Sequence, residues 1–115
     1  MDDLRLERIL RAVECVPAGH LATYGDIGKV CGERPRVVGW VLSQWGENVN
    51  WWRICNARGE IPGHAEAARG KWAEENIGTT PDGSRTLLAD HRVDLTHLTS
   101  AWEAAVAELP EDSTG

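Results

Sequence analysis

Thr23-Tyr24-Gly25-Asp26-Ile27-Gly28-Lys29-Val30-Cys31-Gly32-Glu33-Arg34-Pro35-Arg36-Val37-Val38-Gly39-Trp40-Val41-Leu42-Ser43-Gln44-Trp45 is the stretch whose reading decides the fold. Thr23 stands where an N-cap is wanted, and Asp26 follows three residues later, an approximate capping box with Asp in place of the preferred Glu or Gln. The helix so opened runs to about Cys31, with Ile27, Val30 and Cys31 facing inward. Gly25 and Gly28 weaken it, and close packing against another helix is what they permit. Gly32-Glu33-Arg34 makes a short turn, and Pro35 is suited to the first position of a second helix. That helix reaches about Trp45 and buries Val37, Val38, Val41 and Leu42, leaving Arg36, Gly39, Ser43 and Gln44 for its other faces. Two short helices joined by a tight glycine turn have the outline of a helix-turn-helix. On its own that outline is weak evidence of DNA binding, since many small helical proteins contain such pairs.

On the N-terminal side, residues 4–15 read as an amphipathic helix. Leu6, Ile9, Leu10 and Val13 recur at helical spacing. Val16-Pro17-Ala18-Gly19 stops it. On the C-terminal side comes Asn50-Trp51-Trp52-Arg53-Ile54-Cys55-Asn56-Ala57-Arg58-Gly59. If extended, alternation sends Trp51 and Trp52 to opposite faces, one into the core and one toward a cleft. Residues 64–76 suit a helix with Ala65, Ala68 and Trp72 inward, Gly70 being a defect without a visible reason. Thr79 to Ser84 reads as a polar turn or flexible loop. Val93 and Leu95 read as a short extended piece. Residues 96–109 make a last helix with Leu98, Trp102, Ala105 and Leu109 on one side, and the final Pro110-Glu111-Asp112-Ser113-Thr114-Gly115 should fray. Trp40, Trp45, Trp72 and Trp102 are assigned to packing. The fold class is therefore mainly α.

Composition bounds the function. The 115 residues suit one small domain with a modest core. No apolar run approaches the roughly 18 residues of a membrane helix. The N-terminal MDDLRLERIL is acidic where a secretory signal is basic, so a cytoplasmic location is expected by default. Three cysteines at irregular spacing support neither a disulfide framework nor a metal pair. The four histidines fall in no ligand pattern, so no metal and no cofactor is implied. The net charge of −6 opposes a nucleic-acid partner at first sight. It is unevenly spread, however. Residues 17–59 hold five basic against three acidic side chains, a net of +2. Residues 60–115 hold four against eleven, a net of −7. A mildly basic segment permits DNA binding at low salt.

The ordered set Val16-Pro17-Ala18-Gly19, Thr23-Tyr24-Gly25-Asp26-Ile27, Arg36-Val37-Val38-Gly39 and Trp51-Trp52-Arg53-Ile54 resembles the DNA-binding domain of the O6-alkylguanine-DNA alkyltransferases. The resemblance is strongest over residues 4–62, with 63–115 a divergent tail in one domain spanning 1–115. The alkyltransferase motif is Pro-Cys-His-Arg-Val, whose cysteine accepts the alkyl group. Aligned on Arg53, this chain reads Asn50-Trp51-Trp52-Arg53-Ile54, with Trp51 in the nucleophile's place. That replacement marks the alkyltransferase-like proteins. What it implies is a non-enzymatic sensor of O6-alkylguanine in double-stranded DNA, a monomer that hands the lesion to nucleotide excision repair proteins and touches no membrane.

The resemblance also implies roles. Arg36 corresponds to the arginine that fills the gap left by a flipped base, and Tyr24 to the tyrosine that crowds the 3′ phosphate. Thr23 and nearby backbone N–H groups at the helix start are candidates for phosphate. Trp51 walls the lesion pocket, Arg53 holds the pocket loop through backbone carbonyls, and Asn48 is the candidate for the family's hinge asparagine. Taken without the resemblance, Arg36 is a solvated helix-start arginine, Tyr24 a packing residue, Thr23 a cap and Trp51 a core tryptophan. Two rival functions remain open. One is an active alkyltransferase using Cys55, which lacks a following histidine. The other is a helix-turn-helix transcription regulator, for which the second helix carries few polar base readers. The acidic C-terminal half is expected to be a docking surface separable from DNA binding, so that deletion beyond residue 85 spares the DNA interaction.

Overall fold

The computed structural model describes residues 1–110, so of the end expected to fray, 110–115, all but Pro110 lies outside the described residues. The element order is α1 (Asp3–Glu14), β1 (Ala22–Thr23), α2 (Tyr24–Cys31), α3 (Pro35–Trp45), β2 (Ile54–Cys55), α4 (Ala65–Glu74), α5 (Leu88–His91) and α6 (Leu95–Val106). Mainly α is what is observed. Local chemistry accounts for the helix starts. Asp2 caps α1 by accepting from the Leu4 N–H, Asp94 caps α6 through Thr96, and Pro35 begins α3. The capping box on α2 is complete: the Thr23 hydroxyl accepts from the Asp26 N–H at 2.9 Å, and the Asp26 carboxylate accepts from the Thr23 N–H at 3.0 Å. Gly32 closes α2 in the left-handed region at φ 77°, which a glycine adopts without a Cβ clash.

Gly28 has a specific reason to be glycine. A Cβ there would overlap the Glu33 carbonyl oxygen, which crosses the helix end in the turn into α3. The tight approach is to the turn rather than to another helix. In α3, Val38 and Val41 are fully buried, while Val37 and Leu42 are only partly so. Trp40, expected in the core, is 47 % exposed instead. Its position opposes the buried side of the helix, which four apolar neighbours already satisfy. Gly70 faces open space, and nothing in the structure requires a glycine there.

The Trp51 stretch is not extended at its start. Residues Trp51–Arg53 form a single 3₁₀ turn, and only Ile54–Cys55 are strand. Parallel pairing sets Ala22 against Ile54 and Thr23 against Cys55. This two-residue pair separates two cores. Ala22 and Ile54 join Val13, Val38, Leu98 and Trp102 on one face. Leu21 and Cys55 join Ile61, Ala68, Trp72 and Ile77 on the other. The strand alternation expected of Trp51 and Trp52 thus operates at Ile54 and Cys55.

The C-terminal half folds back onto the N-terminal half. Leu21 bridges in parallel to Arg92, so the extended piece near residue 93 is a backbone link into the sheet, and Leu95 already starts α6. The Trp102 indole N–H donates to the Arg8 carbonyl at 2.8 Å, locking α6 onto α1. Thr79 pairs with Thr86 around the Asp82 turn, which gives the expected loop a defined shape. Gly59, at φ 83°, passes so close to Thr86 that a Cβ would fall 2.5 Å from its carbonyl oxygen.

Candidate nucleic-acid interface

A cleft of about 590 Å³ opens between the start of α2, one side of α3 and the segment after β2. That size falls in the usual range for a small-ligand pocket, roughly 300–1,000 Å³. Tyr24 comes from the first residue of α2, Gly39 and Ser43 from α3, Trp51 from the 3₁₀ turn, and His64 from just before α4. Gly39 presents no side chain, and a Cβ there would meet nothing, so the α3 backbone borders open space. The Trp51 ring is half-buried. It stands edge-on to Trp52 with centroids 6.1 Å apart and to His64 at 5.9 Å.

The turn carrying Trp51 is tied on several sides. The Asn50 side-chain amide donates to the Val13 and Val16 carbonyls at 2.9 and 3.3 Å, and Arg53 Nη1 donates to the Val16 carbonyl at 3.0 Å. The Val13 carbonyl also accepts from the Val16 N–H, so Asn50 adds a second donor at the end of α1. Arg53 also grips Glu75, with its Nη2 2.6 Å from Oε2. The Trp52 indole N–H donates to the same carboxylate at 3.0 Å, and the Gly19 N–H donates to it at 3.1 Å. Burial pushes the Glu75 carboxyl up, but the bonds from Arg53, Gly19 and Trp52 outweigh it and hold the group down at about 2. The Trp72 indole N–H donates to the Trp52 carbonyl at 2.8 Å. Trp52, expected in the core, is therefore half-buried with its polar edge satisfied.

Of the residues singled out from the sequence, the cleft brings together Tyr24 and Trp51. Arg36 is exposed at the second position of α3 and has no ion-pair partner among the described residues. Thr23 is 6 % exposed, its hydroxyl engaged in the α2 cap. Arg53 lies outside the lining, in the Glu75 network. Asn48 is exposed in the turn before Trp51, whereas the asparagine that bonds α1 is Asn50. Cys55 is fully buried and absent from the lining, 3.8 Å from the Ala22 carbonyl, and burial pushes its thiol up to about 11.

Glu75 and Asn50 escaped the sequence reading because nothing local distinguishes them from solvated helix and loop residues. So did Arg92, which forms a two-point pair with the buried Asp26 at 2.8 and 3.0 Å. Burial raises the Asp26 carboxyl, and Arg92 with the Thr23 N–H outweighs that, so it stays below its ordinary range.

The family model described as 6-O-methylguanine DNA methyltransferase, DNA binding domain, matches residues 5–77. The chain belongs to this family. The family match runs through α4, beyond residue 62. Over 59 residues the chain is 36% identical to a DNA base-flipping protein of Escherichia coli strain K12, covering 48% of this chain and 46% of that protein. The corresponding protein of Shigella flexneri gives the same figures. The chain thus matches about half the length of these curated relatives. Among solved structures, S. pombe Atl1, in complex with damaged DNA containing O6-carboxymethylguanine, superposes with a TM-score of 0.68 at 22% identity. That likeness covers 82% of this chain and 98% of the other, and what it establishes is a shared fold.

Proposed function

We propose that this chain recognises O6-alkylguanine in double-stranded DNA by flipping the base into the Trp51 cleft, without transferring the alkyl group. The observation that carries the reading is the cleft itself: Tyr24 and Trp51 line it, and its lining contains no cysteine. The base-flipping relatives and the damaged DNA bound by Atl1 support the same reading.

Extruding a base costs a few kcal/mol, less where alkylation has weakened the pair. Arg36, exposed and unpaired with any described carboxylate, would occupy the space left in the stack. Tyr24 at the start of α2 would crowd the neighbouring phosphate. Trp51 would supply an apolar wall worth roughly 1–3 kcal/mol of stacking. Asn50, Arg53 and Glu75 position that wall without touching the base. Thr23 contributes by setting the α2 start. With no attack geometry to preserve, the pocket should accept bulky alkyl groups. The lesion would then pass unaltered to nucleotide excision repair proteins, the chain acting as a one-domain monomer.

The rival enzyme reading needs Cys55 as a thiolate. Its burial and its raised thiol pKa weigh against that. Incubation with an O6-methylguanine oligonucleotide followed by intact-mass measurement separates the two. The expected result is no change in protein mass, and a gain of one methyl group on a cysteine would overturn the sensor reading. In parallel, affinity should be higher for the lesion duplex than for a matched undamaged one. Equal binding would favour a sequence-reading regulator or a non-specific binder.

A further inference from the structure

Trp40 and Trp45 belong to neither core nor to the cleft lining, and of the two Trp40 is the exposed one. With Met1 and Leu87 it makes up the exposed large hydrophobics among the described residues. We propose that Trp40 is a second DNA-contacting side chain, packed against a nucleotide that flanks the flipped base. The proposal rests on the lesion-sensor reading and extends it to the surface outside the cleft.

Three observations carry it. The first is position. At about 100° per residue, Gly39, Ser43, Arg36 and Trp40 fall within roughly 100° of the α3 circumference. Gly39 and Ser43 line the cleft, so the arc runs from the cleft through Arg36 to Trp40. The second is charge. Arg36 is exposed one turn before Trp40, Arg34 is exposed at the start of the helix, and α3 itself contains no carboxylate. Glu33, the nearest acid before it, is held by Arg5 at 2.6 and 2.7 Å. Glu47, after the end of α3, is the exposed acid of this side and lines the cleft. An exposed indole one turn from an arginine without an ion-pair partner among the described residues matches a polyanion bearing flat apolar bases. The third is order. The ring stands edge-on to Trp45 with centroids 5.5 Å apart. A ring already held in place loses little rotamer freedom on binding.

The spacing says which nucleotide is met. Residues four apart on a helix are separated by about 6 Å along its axis. Stacked bases are separated by about 3.4 Å. Trp40 therefore cannot share the gap that Arg36 fills, and it meets a flanking nucleotide. Its contribution adds to the affinity for any duplex that docks on α3 and carries no information about the lesion.

The test uses the full chain and two labelled duplexes, one with O6-methylguanine and one matched and undamaged. Wild type, Trp40→Ala and Trp40→Phe are titrated by fluorescence anisotropy, with melting temperature and sedimentation measured alongside. Trp40→Ala is expected to weaken binding to both duplexes about tenfold, leaving their ratio and the melting temperature unchanged. Trp40→Phe should keep most of the affinity. The proposal is overturned if Trp40→Ala binds both duplexes like wild type. It is also overturned if lost affinity comes with a lowered melting temperature, the mark of a packing role against Trp45. Conversion of a wild-type dimer to a monomer would overturn it too, by assigning the face to a second copy. A wild-type chain that binds both duplexes equally defeats the sensor reading alone, because the Trp40 contact is read from absolute affinity. A wild-type chain that binds neither duplex defeats both.

Discussion

Glu75 does not border the cleft, yet it anchors the turn that carries Trp51. Its carboxylate receives the Arg53 guanidinium, the Trp52 indole and the Gly19 N–H, so one side chain ties the 3₁₀ turn to the loop after α1. Its folded pKa of about 2 lies below the ordinary 4.5. A depressed carboxylate contributes stability that is present above its unfolded pKa and lost as pH falls toward the folded value. Acid should therefore remove this contribution between about pH 4.5 and pH 2. Glu75→Gln should cost about 3 kcal/mol at neutral pH and flatten the stability profile across that window, as urea titrations at several pH values would reveal. Trp51→Ala should act differently. The ring is half-buried at the cleft, so the chain should stay folded while the preference for lesion over undamaged duplex falls about tenfold or more. A preference that survives intact would move the lesion pocket elsewhere.

Between α2 and α3 the sequence was legible because the signals are local. Thr23 with Asp26, Gly32, and Pro35 each act within one turn of the backbone they govern, and each appears where expected. The partners of Gly28 were not legible, since the Glu33 carbonyl reaches it only once the turn has closed. Gly28→Ala should force that turn open, costing about 1–3 kcal/mol and lowering the melting temperature by roughly 10 °C. Arg36→Ala offers the contrast on the same motif. It removes an exposed side chain with no described ion pair, so it should leave the melting temperature alone and strongly weaken binding to lesion duplex. Unchanged binding would show that another side chain enters the stack. The 3₁₀ turn at Trp51–Arg53 is not legible in the sequence, because its anchors at Val13 and Val16 lie 37 and 34 residues from Asn50.

The C-terminal half is built into the body of the fold. Arg92 completes the Asp26 pair, Leu21 bridges to Arg92, and Leu98, Trp102 and Val106 belong to the first core. Deletion of residues 86–115 removes all of these along with Thr86, whose N–H and hydroxyl both donate to the Gly59 carbonyl. The truncated chain should therefore lose cooperative unfolding by circular dichroism and lose DNA binding with it. A folded, DNA-binding fragment would show that the helix-turn-helix stands without α6. The expectation of a separable acidic module came from charge alone, and charge does not register the apolar stripe that the same helix buries against α1.

The sequence by itself determined the five longer helices, the cap of α2 and the family, because caps, periodicity and motif order are properties of neighbours in the chain. Only the tertiary structure decided that Trp51 lines the cleft, that Cys55 is sealed in the second core, and that Trp40 is left to solvent. Those outcomes depend on contacts between residues 22, 37 and 66 positions apart, at Arg53 with Glu75, Asn50 with Val13, and Arg92 with Asp26. Neither residue of such a pair carries a local mark of the other, so the partnership exists only once the chain has closed on itself.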